Sequence, residues 1–221
     1  MAGSAACGAQ HPLPRLALIA RHRDPYERAP DKPPPALHID AQVPGEKVQL
    51  DCFYVGRLSG TKGTVWQYTA ADVASGFAWA ELHASERNPR ARWTKELLHR
   101  VAGELKAAGW KLQEVTTDNG SEFRSKDFGQ AVHEERATQR FIKAGRPNSN
   151  GCVERLQLTI LEECWRPAFA RSLAPKITAL DKDLDEYLRY FNFDRAHTGR
   201  LTKGRVPGDI VFGARKTRTV R

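Results

Sequence analysis

From Val48 onwards apolar and polar positions follow the two-residue period of strands. Val48–Val55, Thr64–Ala71 and Phe77–Ala84 are β-rich runs separated by the Gly-containing turns Gly56–Gly63 and Ser75-Gly76. Turns this short predict an antiparallel meander. The period then lengthens: Trp93, Leu97, Val101 and Leu105 recur at helical spacing after Asn88-Pro89, which reads as an N-cap followed by proline at the first helical position, with a stop near Gly109. Lys111–Thr117 is expected as a short strand, Lys126–Arg136 as a helix with Phe128 and Val132 inward, and Thr138–Ile142 as another short strand. After the polar loop Gly145–Asn150, Cys152–Ala170 predicts a helix that buries Val153, Leu156, Ile160 and Cys164. A further helix, about Lys176–Phe193, carries Ile177, Leu180, Leu184, Leu188 and Phe191 on one stripe. A meander followed by alternating helix and strand implies an α/β fold, a mixed sheet with helices on its faces. In such sheets chemistry collects at the carboxyl ends of strands.

Upstream the pattern fails. Residues 1–46 hold eight of the 13 prolines, with Leu13–Ala20 the one apolar stretch, so they read as an extended arm or linker. The expected organisation is therefore an arm over 1–46, a core over 47–172, and a C-terminal helix with a basic tail over 173–221. No internal repeat is visible, and a core of this size needs no disulfide staples. The four cysteines, Cys7, Cys52, Cys152 and Cys164, form no C-x-x-C pair, which excludes a zinc knuckle or secreted disulfide framework and makes a reducing cytoplasm the default compartment. No stretch is apolar enough to span a bilayer or serve as a leader, so no membrane association is expected. The 35 Lys and Arg against 26 Asp and Glu give a formal +9, a balance suited to polyanions that by itself leaves nucleic-acid binding an even question.

Three carboxylates carry the candidate chemistry. Asp51 lies inside the strand Val48–Val55, where an unpaired buried acid would be costly, so a metal, a base or a cleft is implied. Asp118 ends a strand in Thr117-Asp118-Asn119-Gly120, which is equally a good turn sequence. Glu154, separated from Asp118 by 35 residues, lies at the start of a helix, where most glutamates simply face water. Together the three suit hard divalent cations, which prefer carboxylate oxygens and assist in-line phosphoryl transfer. Mutually repelling acids would leave such a site weakly organised without metal. Trp66, Trp79 and Trp93 read as core, and no metal spacing links His83, His99 and His133.

The strand acid, the turn Thr117-Asp118-Asn119-Gly120-Ser121-Glu122-Phe123 and the stretch Gly145-Arg146-Pro147-x-x-Asn150-Gly151-x-Val153-Glu154-Arg155 resemble the catalytic core of the DDE transposases of bacterial insertion sequences, relatives of retroviral integrases. The likeness runs from about Lys47 to Ala214. It includes the closing segments Tyr190–His197 and Val206–Gly213, and the spacing between the second and third acids is that family's. The resemblance implies a ribonuclease H-like mixed five-stranded sheet and DNA transposition by metal-dependent strand cleavage and joining. It implies two Mg2+ or Mn2+ ions: Asp51 would bridge both, Asp118 would hold one and Glu154 the other. Asn119 and Gly120 would shape the turn, and Asn148, Ser149 and Asn150 would cap the helix bearing Glu154. Implied partners are element-end and target DNA, with a homo-oligomer on DNA and a nucleoid-associated location. Candidate DNA contacts are Lys143, Arg146 and Arg155 around the third acid and Lys203, Arg205, Arg215, Lys216 and Arg218 in the tail, beside Arg200 and Arg221. Family members usually carry a helix-turn-helix ahead of the core, and residues 1–46 show no such pattern. Two other readings therefore stand beside the transposase: a truncated, non-catalytic DNA-binding remnant, and a metal-dependent nuclease on the same fold.

Overall fold

A computed structural model describes residues 41–58, 60–142, 150–172, 174–199 and 201–213. The chain divides into two units, Met1–Ala36 and Leu37–Arg221, and every described residue lies in the second. The three alternating runs form the expected meander: β1 (Lys47–Gly56), β2 (Thr64–Asp72) and β3 (Ala78–Ser85) pair antiparallel in sequence. β4 (Glu114–Thr117) lies parallel to β1, and β5 (Thr138–Phe141) parallel to β4, giving one sheet in the order β3-β2-β1-β4-β5. Gly63 makes the β1–β2 turn possible: its φ is +100°, and a Cβ there would lie 2.1 Å from the Ser85 carbonyl oxygen.

Because strand side chains alternate, each face of the sheet acquires its own core. Val48 and Leu50 of β1 with Tyr68 and Ala70 of β2 pack under α1 (Ala91–Ala107) and α2 (Lys126–Glu134) through Leu97, Leu98, Val101, Leu105 and Phe128. The opposite face packs against α3 (Gly151–Ile160), a π-helical turn (Leu161–Trp165), α4 (Arg166–Arg171) and α5 (Ile177–Phe193), with Val153, Leu156, Ile160, Trp165, Leu180 and Leu184 at the centre. Val153, Leu156, Ile160 and Cys164 are all buried, as their spacing required. Gln67 of β2 is fully buried on this face, and its Oε1 accepts from Trp165 Nε1 at 2.7 Å. A sixth helix, α6 (Pro207–Phe212), puts Val211 into the first core, and the Val211 carbonyl accepts from Trp110 Nε1 at 2.7 Å. Trp79 is buried, while Trp66 and Trp93 are partly buried against the same core.

Three local expectations change. Helix α1 starts at Ala91 with Arg90 as its N-cap residue, not at Pro89. The Asn88 carbonyl accepts from Ser85 Oγ, and the Arg90 N–H is taken by Tyr68 Oη at 2.8 Å, so the chain is still turning there. β4 begins at Glu114 rather than Lys111, since the Gln113 N–H donates to Gly45 outside the ladder. Asn150 is the N-cap residue of α3 but makes no side-chain cap. At the free edge of the sheet, the Asn192 amide of α5 both accepts from the Ala78 N–H and donates to the Ala78 carbonyl, at 2.8 Å each. Among the described residues no helix is long and apolar enough to cross a membrane.

Candidate active site

The parallel register of β1 and β4 ends at Leu50↔Thr117, so the next residues on the two central strands are Asp51 and Asp118. Period two turns Asp51 toward the α3 face, with Gln49, Phe53 and Val55. Asp118 then leaves the sheet in an Asx turn. Its Oδ1 accepts from the Gly120 N–H at 2.9 Å, and Asn119 Nδ2 donates to the Ile142 carbonyl at 3.0 Å, tying the turn to the end of β5.

The third acid is brought in from β1 itself. Gln49, 2% exposed, extends its Oε1 to the N–H groups of Cys152 and Val153 at 2.9 and 3.1 Å. It thus does for α3 what an N-cap side chain does elsewhere, satisfying two first-turn donors. The Glu154 N–H donates to the Asn150 carbonyl at 3.1 Å, and its side chain is exposed. Gln157, one helical turn further on and buried, faces Asp51.

The electrostatics register this convergence. Burial raises the Asp51 pKa from 3.8 to about 7. The Cys52 N–H, donating to Oδ1 at 2.8 Å, opposes the rise, the negative charges of Asp118 and Glu154 add to it, and the Gln157 amide lowers it slightly. Gln157 Nε2 nevertheless lacks a hydrogen bond of good geometry within the described residues, so the amide attracts Asp51 without a formed bond. Glu122 is a fourth acid that sequence reasoning missed. It is 9% exposed, and its carboxyl pKa is raised by burial and then by Asp118. The Cys52 thiol beside it is pushed well up by burial, then by Glu122, Asp51 and Asp118. The signal for Glu122 was its position before Phe123, which is 1% exposed and draws the segment inward.

Three carboxylates, one of them an acid whose pKa is raised first by burial, form an all-oxygen set with the donor chemistry that a hard divalent cation takes. Among the described residues, however, no three His, Cys, Asp or Glu side chains already stand close enough to enclose an ion. Arg155, the residue after Glu154, is exposed and borders a cavity of about 600 Å3 with Arg195 and His197. Lys203 and Arg205 are exposed in the segment before α6. Lys143, Arg146, Asn148, Ser149, Arg200, Arg215, Lys216, Arg218 and Arg221 lie outside the described residues.

The five-stranded mixed sheet flanked by helices, with acids at the centre of β1 and the end of β4, is the ribonuclease H-like fold. Residues 41–147 match the family model of the integrase core domain; the match ends before Glu154. The fold is similar to that of the integrase in the simian T-cell lymphotropic virus intasome solved with the PP2A regulatory subunit B56 gamma. That match has a TM-score of 0.63 and 18% identity, covering 81% of this chain and 58% of that one. It is also similar to the HTLV-2 integrase catalytic core domain in complex with magnesium. The trimeric form gives a TM-score of 0.58, 16% identity and coverage of 78% and 99%; the dimeric form gives 0.56, 16%, 76% and 97%. The chain thus spans less than two thirds of the intasome subunit and nearly all of an isolated core. No curated protein sequence matches.

Proposed function

We propose that this protein is a metal-dependent polynucleotidyl transferase of DNA transposition or integration, which cleaves a DNA strand and joins the exposed 3′-hydroxyl to target DNA. What supports the reading is that Asp51 and Asp118 directly follow the last paired residues of the two central parallel strands, while Gln49 of β1 holds the start of the helix that bears Glu154. Asp51, Asp118 and Glu154 would hold Mg2+ or Mn2+, two ions by the resemblance, and the HTLV-2 core solved with magnesium is consistent with that choice. Bound divalent cations supply activation of the attacking oxygen and stabilisation of the leaving oxygen.

The protein's own groups do the rest. Gln49 fixes the start of α3 to β1, so the helix bearing Glu154 and the strand bearing Asp51 move as one body. Asp51 must lose its proton to act as a ligand, and the Cys52 N–H and Gln157 amide favour that loss. Arg155, Lys203 and Arg205, with Lys143, Arg146, Arg215, Lys216 and Arg218, would contact phosphates and set the register of the DNA without reading its sequence. A homo-oligomer on DNA follows from the need for two active sites at two ends.

The test is incubation of the purified chain with labelled duplex DNA and supercoiled plasmid in magnesium or manganese, with Asp51→Asn and Glu154→Gln in parallel. Metal-dependent nicking and joining that both variants abolish is the expected result. Cleavage without joining would identify a nuclease, and salt-sensitive binding without turnover in either metal a non-catalytic remnant.

A further inference from the structure

Beside the acids, the first sheet face carries a feature that the candidate chemistry leaves unused. Tyr54 stands three residues beyond Asp51 on β1, about 10 Å along the strand, and on the opposite face, in line with Cys52. The residue is 55% exposed, and its ring meets Trp66 of β2 edge to face, with centroids 5.5 Å apart and planes at 79°. At most one of its two faces is therefore taken. The β1–β2 register slips immediately after Tyr54, so a bulge sets the angle at which the ring leaves the sheet. Trp66 is held in turn by its Nε1, which donates to the Arg87 carbonyl at 3.1 Å and fastens the hairpin to the connection between β3 and α1.

That connection and the hairpin are strongly basic. Segments 54–62 and 86–96 contain six cations and two acids. Lys62, Arg90 and Arg92 border a shallow recess of about 400 Å3 with Trp93. Arg92 lies over the Trp93 ring at 4.4 Å, while the other face of Trp93 is stacked on His83 at 3.7 Å. The two acids are committed to Arg90 and Arg92 in exposed i,i+4 pairs at 3.6 and 2.9 Å. Such pairs contribute little and yield readily to a phosphate.

An exposed aromatic face beside a row of cations is the pattern by which proteins hold an unpaired strand: bases stack on the ring and the backbone follows the charges. We propose that Tyr54, supported by Trp66 and flanked by Lys62, Arg90 and Arg92, is a platform for unpaired nucleotides of a DNA strand leading to the acids. This rests on the reading of the chain as a DNA-processing enzyme, but it concerns binding and not turnover.

The experiment is fluorescence anisotropy of the full chain, in EDTA so that no cleavage occurs, with a blunt duplex and with the same duplex carrying a five-nucleotide single-stranded overhang. Variants are Tyr54→Ala, Tyr54→Phe and Arg92→Glu, each checked for an unchanged melting transition. Wild type should favour the overhang by about tenfold. Tyr54→Ala should lose that preference while keeping its affinity for the blunt duplex, Tyr54→Phe should retain it, and Arg92→Glu should weaken overhang binding and flatten its salt dependence. Equal affinity of wild type for the two DNAs, or an overhang preference intact in Tyr54→Ala, overturns the platform. A Tyr54-dependent preference in a protein that never cleaves DNA would uphold it while removing the catalytic reading.

Discussion

Replacing Asp51 by Asn should stabilise the metal-free protein, and by an amount that depends on pH. In the folded chain the Asp51 carboxyl titrates at about 7 against 3.8 in the absence of structure, a difference of about three pH units. At about 1.4 kcal/mol per unit, keeping this acid ionised costs the fold about 4 kcal/mol once both states have lost the proton. Between pH 4 and 7 the folded state holds a proton that the unfolded chain has released, so wild-type stability falls as pH rises through that window. Asparagine keeps an Oδ1 for the Cys52 N–H and carries no charge for Asp118 and Glu154 to repel. Urea unfolding in EDTA should therefore show the two proteins equal near pH 4 and Asp51→Asn ahead by up to about 4 kcal/mol at pH 8. Magnesium should narrow the gap by stabilising wild type alone, by about 2.7 kcal/mol at a hundredfold excess over its Kd. An Asn variant no more stable than wild type at pH 8 without metal would refute the raised pKa of Asp51 and the burial that is its main cause.

Gln49→Leu should leave the Cys152 and Val153 donors unmet, costing about 1–3 kcal/mol in urea unfolding, and should raise the magnesium concentration needed for half-maximal DNA cleavage, because α3 is no longer tied to β1. Trp165→Phe strands the Oε1 of a fully buried Gln67 and should cost a similar amount, about 1–3 kcal/mol, read as a lowered Tm. Gly63→Ala combines a left-handed backbone with a Cβ driven into the Ser85 carbonyl, so a loss of about 3 kcal/mol or more is expected, measurable by calorimetry.

The order of strands and helices was legible because each buries one stripe against a sheet, and that requirement is written in period. Leu180, Leu184 and Phe191 recur with the spacing that α5 needs, and all three are buried. Asp51 could be singled out for a related reason: an acid among strand residues has no routine explanation. Gln49, two positions earlier, carried no such signal. A buried amide in a strand is informative only once the helix donors it serves are in place, and these lie 103 and 104 residues away. Glu122 was hidden by its turn, where a polar residue raises no question until Phe123 and Phe128 close over the segment. The start of α1 was misread because Asn88-Pro89 satisfies a local rule, while Tyr68, from the middle of β2, decides where the helix can begin.

Asn192 covers a peptide group at the outer edge of β3. Its amide makes with Ala78 the same donor and acceptor pair that the peptide group of an incoming strand would make. The end of β3 is thereby sealed by one side chain delivered from α5, where many sheets use an extra strand. A fragment cut before Ile177 would expose that peptide, and two such fragments would find in each other the missing partner. The closing helix is thus a guard against polymerisation: the cost of losing it would fall on solubility, with chains joining β3 to β3 at concentrations where the intact protein stays dispersed.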